Sequence, residues 1–126
     1  MNRKSGFTLV EMLLSIVILA IVLASVARYT GQYLHTVSTS TTRTAAAEFA
    51  RERIGLVDMD PSYTTLGATW AGTQIGLPGY PDMIRVTSVS RITGAAPQRD
   101  YTIVTVRVTE PTMGAPIDVT TVVASP

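Results

Sequence analysis

Chemistry needs charged, nucleophilic or metal-binding side chains in defined places, and this chain is sparing with them. One stands out. In KSGFTLVEMLL, residues 4–14, a basic residue, a Ser and a Gly lead into an apolar run, and Glu11 stands five residues after Gly6. Between Phe7 and Ala27, a run of 21 residues, Glu11 is the single charge. A carboxylate in an apolar helix costs about 2.5–3.5 kcal/mol at mid-membrane and less near an interface. It calls for a cation in low dielectric, yet no Lys, Arg or His lies within the run. Scission after Gly6 would create one, the α-amino group of a new first residue, Phe7. On the same helix that amine sits one turn from Glu11. A neighbouring helix stacked with a stagger could present its own instead. The plainer alternative is an interfacial glutamate tolerated near the helix start.

The other candidates carry little chemistry. His35 is the only histidine, so a histidine-based metal cluster is excluded and a Ser-His-Asp triad would have to rest on it. It lies just past the apolar run in a helical stretch and reads as a helix-surface residue. Asp58 and Asp60 flank a helix end before Pro61, where turn and cap roles fit better than a cation site of EF-hand spacing. The glycines of GATWAGTQIGLPG lack the strand, Gly-rich loop and helix context of a phosphate binder. No enzyme, cofactor, metal or small-molecule substrate is expected.

Composition sets the frame for Glu11. The 126 residues suggest one domain, or one domain plus an anchor. The run from Phe7 to Ala27 is roughly 32 Å long as a helix, close to the ~30 Å hydrocarbon core of a bilayer. It is longer than the apolar core of a secretory signal, and RYTGQYLH after it offers no small-residue cleavage site. Arg3 and Lys4 on its N-terminal side favour a cytoplasmic N-terminus, with Arg28 weakening the asymmetry. There is no Cys, so no disulfide framework and no thiolate metal site. Loss of Arg3 and Lys4 would lower the basic count from 10 to 8 against 9 acidic residues, and no basic tract remains. Nucleic acid is therefore not expected as a main partner.

One long helix is predicted from about Phe7 to about Val57. Tyr29, Tyr33, Leu34 and Val37 continue the helical spacing, and AAAEFARERIGLV restores helix strength, with Phe49, Arg53 and Leu56 near one face. Glu48 and Glu52 alternate with Arg51 and Arg53 as on a solvated face. Strain or a bend is expected near Gly31 or through VSTSTTRT, because Ser and Thr compete for backbone hydrogen bonds. Residues 61–82 are dense in Pro and Gly and read as a loop, with the only Trp, Trp70, packing it onto the core. The period then changes to that of strands at 84–89, 101–108 and 117–123, with turns at GAAPQRD and EPTMGAP. In the second strand Val104, Val106 and Val108 share one face, with Tyr101 and Ile103 on the other. The expected fold is α+β: a long N-terminal helix whose second half packs on an antiparallel sheet of about three strands and is the one element able to cover it.

These residues carry a resemblance. KSGFTLVEMLLSIVILAIVLA resembles the N-terminus of type IV pilins and of the pseudopilins of type II secretion, in which a short basic leader ends in Gly and Phe-Thr-Leu-Val-Glu opens an apolar helix. Gly6, Phe7, Thr8, Leu9 and Glu11 all match. The resemblance implies a leader at 1–6 with Arg3 and Lys4 orienting it, a transmembrane and filament-core helix at 7–28, and an extracytoplasmic head at 29–126. It implies cleavage after Gly6 by a membrane-embedded prepilin peptidase, N-methylation of Phe7, and assembly with other pilin or pseudopilin subunits. Glu11 would neutralise an N-terminal amine in its own or a neighbouring subunit. The chain would first sit in a bacterial inner membrane as a single-pass protein, then in a periplasmic or extracellular filament. Many major pilins carry a Pro at the end of the membrane run and a C-terminal disulfide. Arg28 near that point and the absence of Cys favour a minor pilin or an I-type minor pseudopilin. The second expectation is a DNA-uptake or adhesive tip subunit. It would need a patch built from Arg85, Arg91, Arg99 and Arg107, although Asp82, Asp100, Glu110 and Asp118 are interspersed with them.

Overall fold

The computed structural model describes residues 8–95 and 98–125. The chain divides into two compact units, one ending at Ser38 and the other starting at Thr39. One helix, α1 (Leu9–Asp58), contributes residues to both.

In the first unit, α1 is built from Leu, Ile, Val, Met and Ala, and every side chain from Leu9 to Leu34 is exposed. α1 runs through Gly31 and the Ser/Thr stretch as one helix, as expected. Thr30, Thr36 and Thr44 each donate to the carbonyl four residues back, at 2.9, 2.9 and 3.0 Å. Back-bonded in this way the hydroxyls are satisfied within the helix, at the cost of sharing ladder carbonyls, which slightly weakens a helix and often bends it.

In the second unit, four antiparallel strands form a sheet in sequence order: β1 (Gly72–Leu77), β2 (Tyr80–Ala95), β3 (Gln98–Thr109) and β4 (Ile117–Ala124). The three expected strands are β2, β3 and β4, and β2 is longer than its apolar core suggested. β1 was not expected. It lies inside the stretch 61–82 read as loop, where a 3₁₀ turn (Tyr63–Thr65) and a short helix, α2 (Leu66–Trp70), also form. Its composition hides it. Gly72 and Gly76 stand in a six-residue strand, and all of it but Leu77 is exposed, so no alternation marks it. Pro78 and Gly79 then close a tight hairpin onto Tyr80. Gly79 takes φ 79°, as the second central residue of a Pro-Gly turn requires.

The helix-facing side of the sheet is covered in two parts. Thr42, Ala46, Ala50 and Val57 are the buried residues of α1, spaced so that one helix face meets the sheet. Ala46 and Ala50 let that face approach Leu77, Met83, Val106, Val108 and Met113 closely. The other part is not helix α1 alone. Tyr63 and Leu66 join Val57 and Val104 in a second cluster, with Trp70 and Val89 against it. The expectation that α1 alone covers the sheet is corrected: α2 and the turn before it share the task. Val104, Val106 and Val108 share the buried face as predicted, with Tyr101 and Ile103 on the half-buried one. Leu56 is 44% exposed.

Leu66 is 1% exposed. Leu66→Ala should therefore destabilise the protein by about 2–5 kcal/mol, whereas Leu56→Ala should change stability by no more than about 0.5 kcal/mol. Thermal or denaturant unfolding of the two variants in one detergent checks both.

Candidate assembly site at the start of the long helix

The first turn of α1 is set by Thr8, which is not itself helical. The Glu11 N–H donates to Thr8 Oγ1 at 3.3 Å, and the Met12 N–H donates to the Thr8 carbonyl at 3.1 Å. Thr8 is thus the N-cap and Glu11 the third helical residue. Thr-x-x-Glu is the capping-box pattern, in which the cap hydroxyl takes one of the orphan N–H groups of a helix start. The carboxylate also stands at the positive end of the helix dipole. This capping was legible as TLVE in the sequence but was read only for its charge. Glu11 itself is exposed, and its carbonyl accepts the Ser15 hydroxyl at 2.8 Å. Arg3, Lys4, Gly6 and Phe7 lie outside the described residues.

Behind Glu11 the helix is a continuous apolar surface, with Leu13, Ile16, Val17, Leu23 and Val26 each more than half exposed. The helix is long and apolar enough to cross a membrane, and none of its apolar window is buried. At the far end stand Arg28, Tyr29 and Tyr33, then His35, all exposed. His35 is a helix-surface residue as predicted.

Residues 1–27 match the family described as the prokaryotic N-terminal methylation motif. The match supports the resemblance of this N-terminus to those of type IV pilins and pseudopilins. No curated protein and no solved structure matched the chain.

In the second unit the arginines do not gather into a free patch. Arg91 pairs with Asp100 through two hydrogen bonds, at 2.9 and 2.7 Å, and Arg107 pairs with Asp118 in the same way at 2.8 Å each. Both pairs join neighbouring strands, Arg91 and Asp100 across β2 and β3, Arg107 and Asp118 across β3 and β4. Arg85 instead turns toward the helix-covered side and is 8% exposed. The interspersed carboxylates expected from sequence are what consume two of the four charges. Asp60 accepts the Ser62 N–H at 2.8 Å and the Trp70 Nε1–H at 2.6 Å, and these bonds hold its carboxyl below the usual range. It is thus a turn residue, as predicted, and also the anchor of Trp70. Asp58 accepts the Thr121 hydroxyl at 3.3 Å. No cluster of metal-binding side chains occurs among the described residues. Arg53, assigned to the solvated helix face, turns in over the Trp70 ring. The sequence offered no spacing signal for that contact, since the two lie on different elements.

Asp100 accepts from Arg91 and from the Tyr63 hydroxyl at 2.8 Å, and the Arg91 bonds foremost, then that of Tyr63, lower its pKa to about 2. A carboxyl whose folded pKa lies below its unfolded value stabilises the fold above the unfolded value and loses that contribution as pH falls through the folded one. Between pH of about 4 and about 2, wild-type Tm should fall more steeply than that of Asp100→Asn. Thermal melts across that range check it.

Proposed function

We propose that the chain is a minor subunit of a type IV pilin-like filament, cut after Gly6 by a prepilin peptidase, methylated at Phe7 and assembled through its N-terminal helix. The observation that carries this reading is one carboxylate at the start of a helix whose first part, as far as Ala27, is otherwise uncharged, largely apolar and fully exposed. Residues 1–6 are the leader, and Arg3 and Lys4 hold it on the cytoplasmic side. Residues 7–28 lie in the inner membrane before assembly and in the filament core after it. Residues 29–126 form the extracytoplasmic head, which uses the inner half of its sheet for its own core. Glu11 receives the Phe7 α-amino group, of its own or a neighbouring subunit. Arg28 and the lack of Cys support a minor rather than a major role. The partners are the peptidase, other pilin or pseudopilin subunits and the membrane.

Mass spectrometry of the protein from a host with its peptidase should give a mature chain beginning at methylated Phe7. Retention of Met1 to Gly6 would overturn the processing step. Glu11→Ala and Glu11→Gln should both be cut normally yet enter filaments far less than wild type. The Gln variant decides the mechanism, because a capping box accepts Gln as well as Glu, whereas an amine partner needs the charge. Filament incorporation of Glu11→Gln at the wild-type level would sink the proposed charge pairing.

A further inference from the structure

Two arginines of the head that meet at one cleft form no ion pair among the described residues. Arg53 stands on α1 and Arg85 on β2, on the covered side of the sheet. Arg85 donates through Nη1 to the Phe49 carbonyl at 3.1 Å and through Nη2 to Gln74 Oε1 at 2.5 Å. Arg53 donates through Nη2 to the Trp70 carbonyl at 3.3 Å, and its Cζ lies 4.6 Å from the Trp70 ring centroid. Every one of these acceptors is neutral. The Nε of each arginine is buried and finds no acceptor in the protein. Both side chains line a single cleft of 210 Å³, together with Thr73, Gln74 and Thr87.

Guanidinium groups stay charged in proteins. A buried charge without an opposite partner is costly, and two facing one cleft repel as well. Burial pushes the Arg85 guanidinium below its ordinary pKa, and the charge of Arg53 acts in the same direction, with Glu52 opposing. Glu52 is exposed and does not line the cleft. What the cleft lacks is a set of charged acceptors. An oxyanion supplies them, since its oxygens match the fork of a guanidinium and the resulting bonds are about twice as strong as neutral ones. The cleft is also roomy enough for such a group with a few waters around it, a water occupying about 30 Å³ in the liquid.

We propose that this cleft binds one small oxyanion, a carboxylate or phosphate group, between Arg53 and Arg85, with Thr87 as its hydroxyl neighbour. This reading is independent of filament assembly. It concerns the head alone and would stand if the N-terminal helix served another end.

Trp70 is the only Trp and lies against Arg53, so its fluorescence reports on the cleft directly. The test titrates the full mature chain in detergent with inorganic phosphate, with acetate and with chloride at matched ionic strength. It follows Trp fluorescence and, in parallel, Tm. Phosphate or acetate should give a saturable change with a midpoint of about 1 mM and a rise in Tm, and chloride neither; which of the two binds more tightly identifies the ligand class. Arg53→Gln should weaken that midpoint about tenfold while keeping the folded circular-dichroism spectrum. Identical responses to all three salts, or no response to any, would overturn the proposal. So would a folded Arg53→Gln protein that binds as wild type does. Should Arg53→Gln fail to fold, the comparison of the three anions on wild type decides alone.

Discussion

The apolar first part of α1 has no cover within its own unit, and the rest of the chain is arranged around that fact. From Leu9 to Leu34 the side chains are exposed, among them a series of large aliphatics. Leaving such surface in water costs about 25 cal/mol per Å², so this segment requires a bilayer or other apolar helices. A helix is suited to both, because its backbone bonds are closed within the segment. What a helix cannot close for itself is its first turn, where N–H groups stand without partners. Glu11 and Thr8 are placed at that one weak point.

The second unit solves a different problem with few residues. A four-stranded sheet needs one side covered, and α1 reaches it through alanines rather than large side chains. Small residues bring the helix close and leave the bulk of the core to Met83, Leu77 and the valines of β3. The part of the sheet that α1 leaves open is closed by α2 and by Tyr63. Both depend on Asp60, which turns the chain at Pro61 and fixes the Trp70 ring. Charge pairs link β2 to β3 and β3 to β4. These pairs are exposed and contribute modestly. Their effect is to remove Arg91 and Arg107 from any free basic surface.

The sequence was legible wherever a period was long. The helix, three strands and the buried face of β3 all follow from periodic runs of six residues or more, because burial of one face imposes the spacing. β1 was illegible because an exposed edge strand owes its place to ladder pairing with β2, and pairing leaves no trace in a single strand's composition. In the hydroxyl-rich stretch of α1, propensity describes what Ser and Thr can do in isolation, whereas Thr36 and Thr44 donate to carbonyls along the helix. Glu11 was visible as a charge out of place, but the same four letters also spell a helix cap. Arg53 shows the limit: its partner, Trp70, is brought to it by a turn that α2 and Asp60 create, and no spacing along the chain records that contact.

The two roles of Glu11 belong to different moments. In an uncut chain the carboxylate is favoured only by the cap geometry and the positive end of the helix. These terms are modest, of the order of 1 kcal/mol each. They ease the cost of carrying a charge in an apolar setting without removing it. On the proposed processing, a cut after Gly6 would supply an ammonium group on Phe7, and low dielectric would make its pair with Glu11 far stronger than it would be in water. A side chain merely tolerated before the cut would then become an acceptor after it. On that reading the proposed cut would do more than remove six residues: it would convert a burden at the start of α1 into a contact that subunits could share.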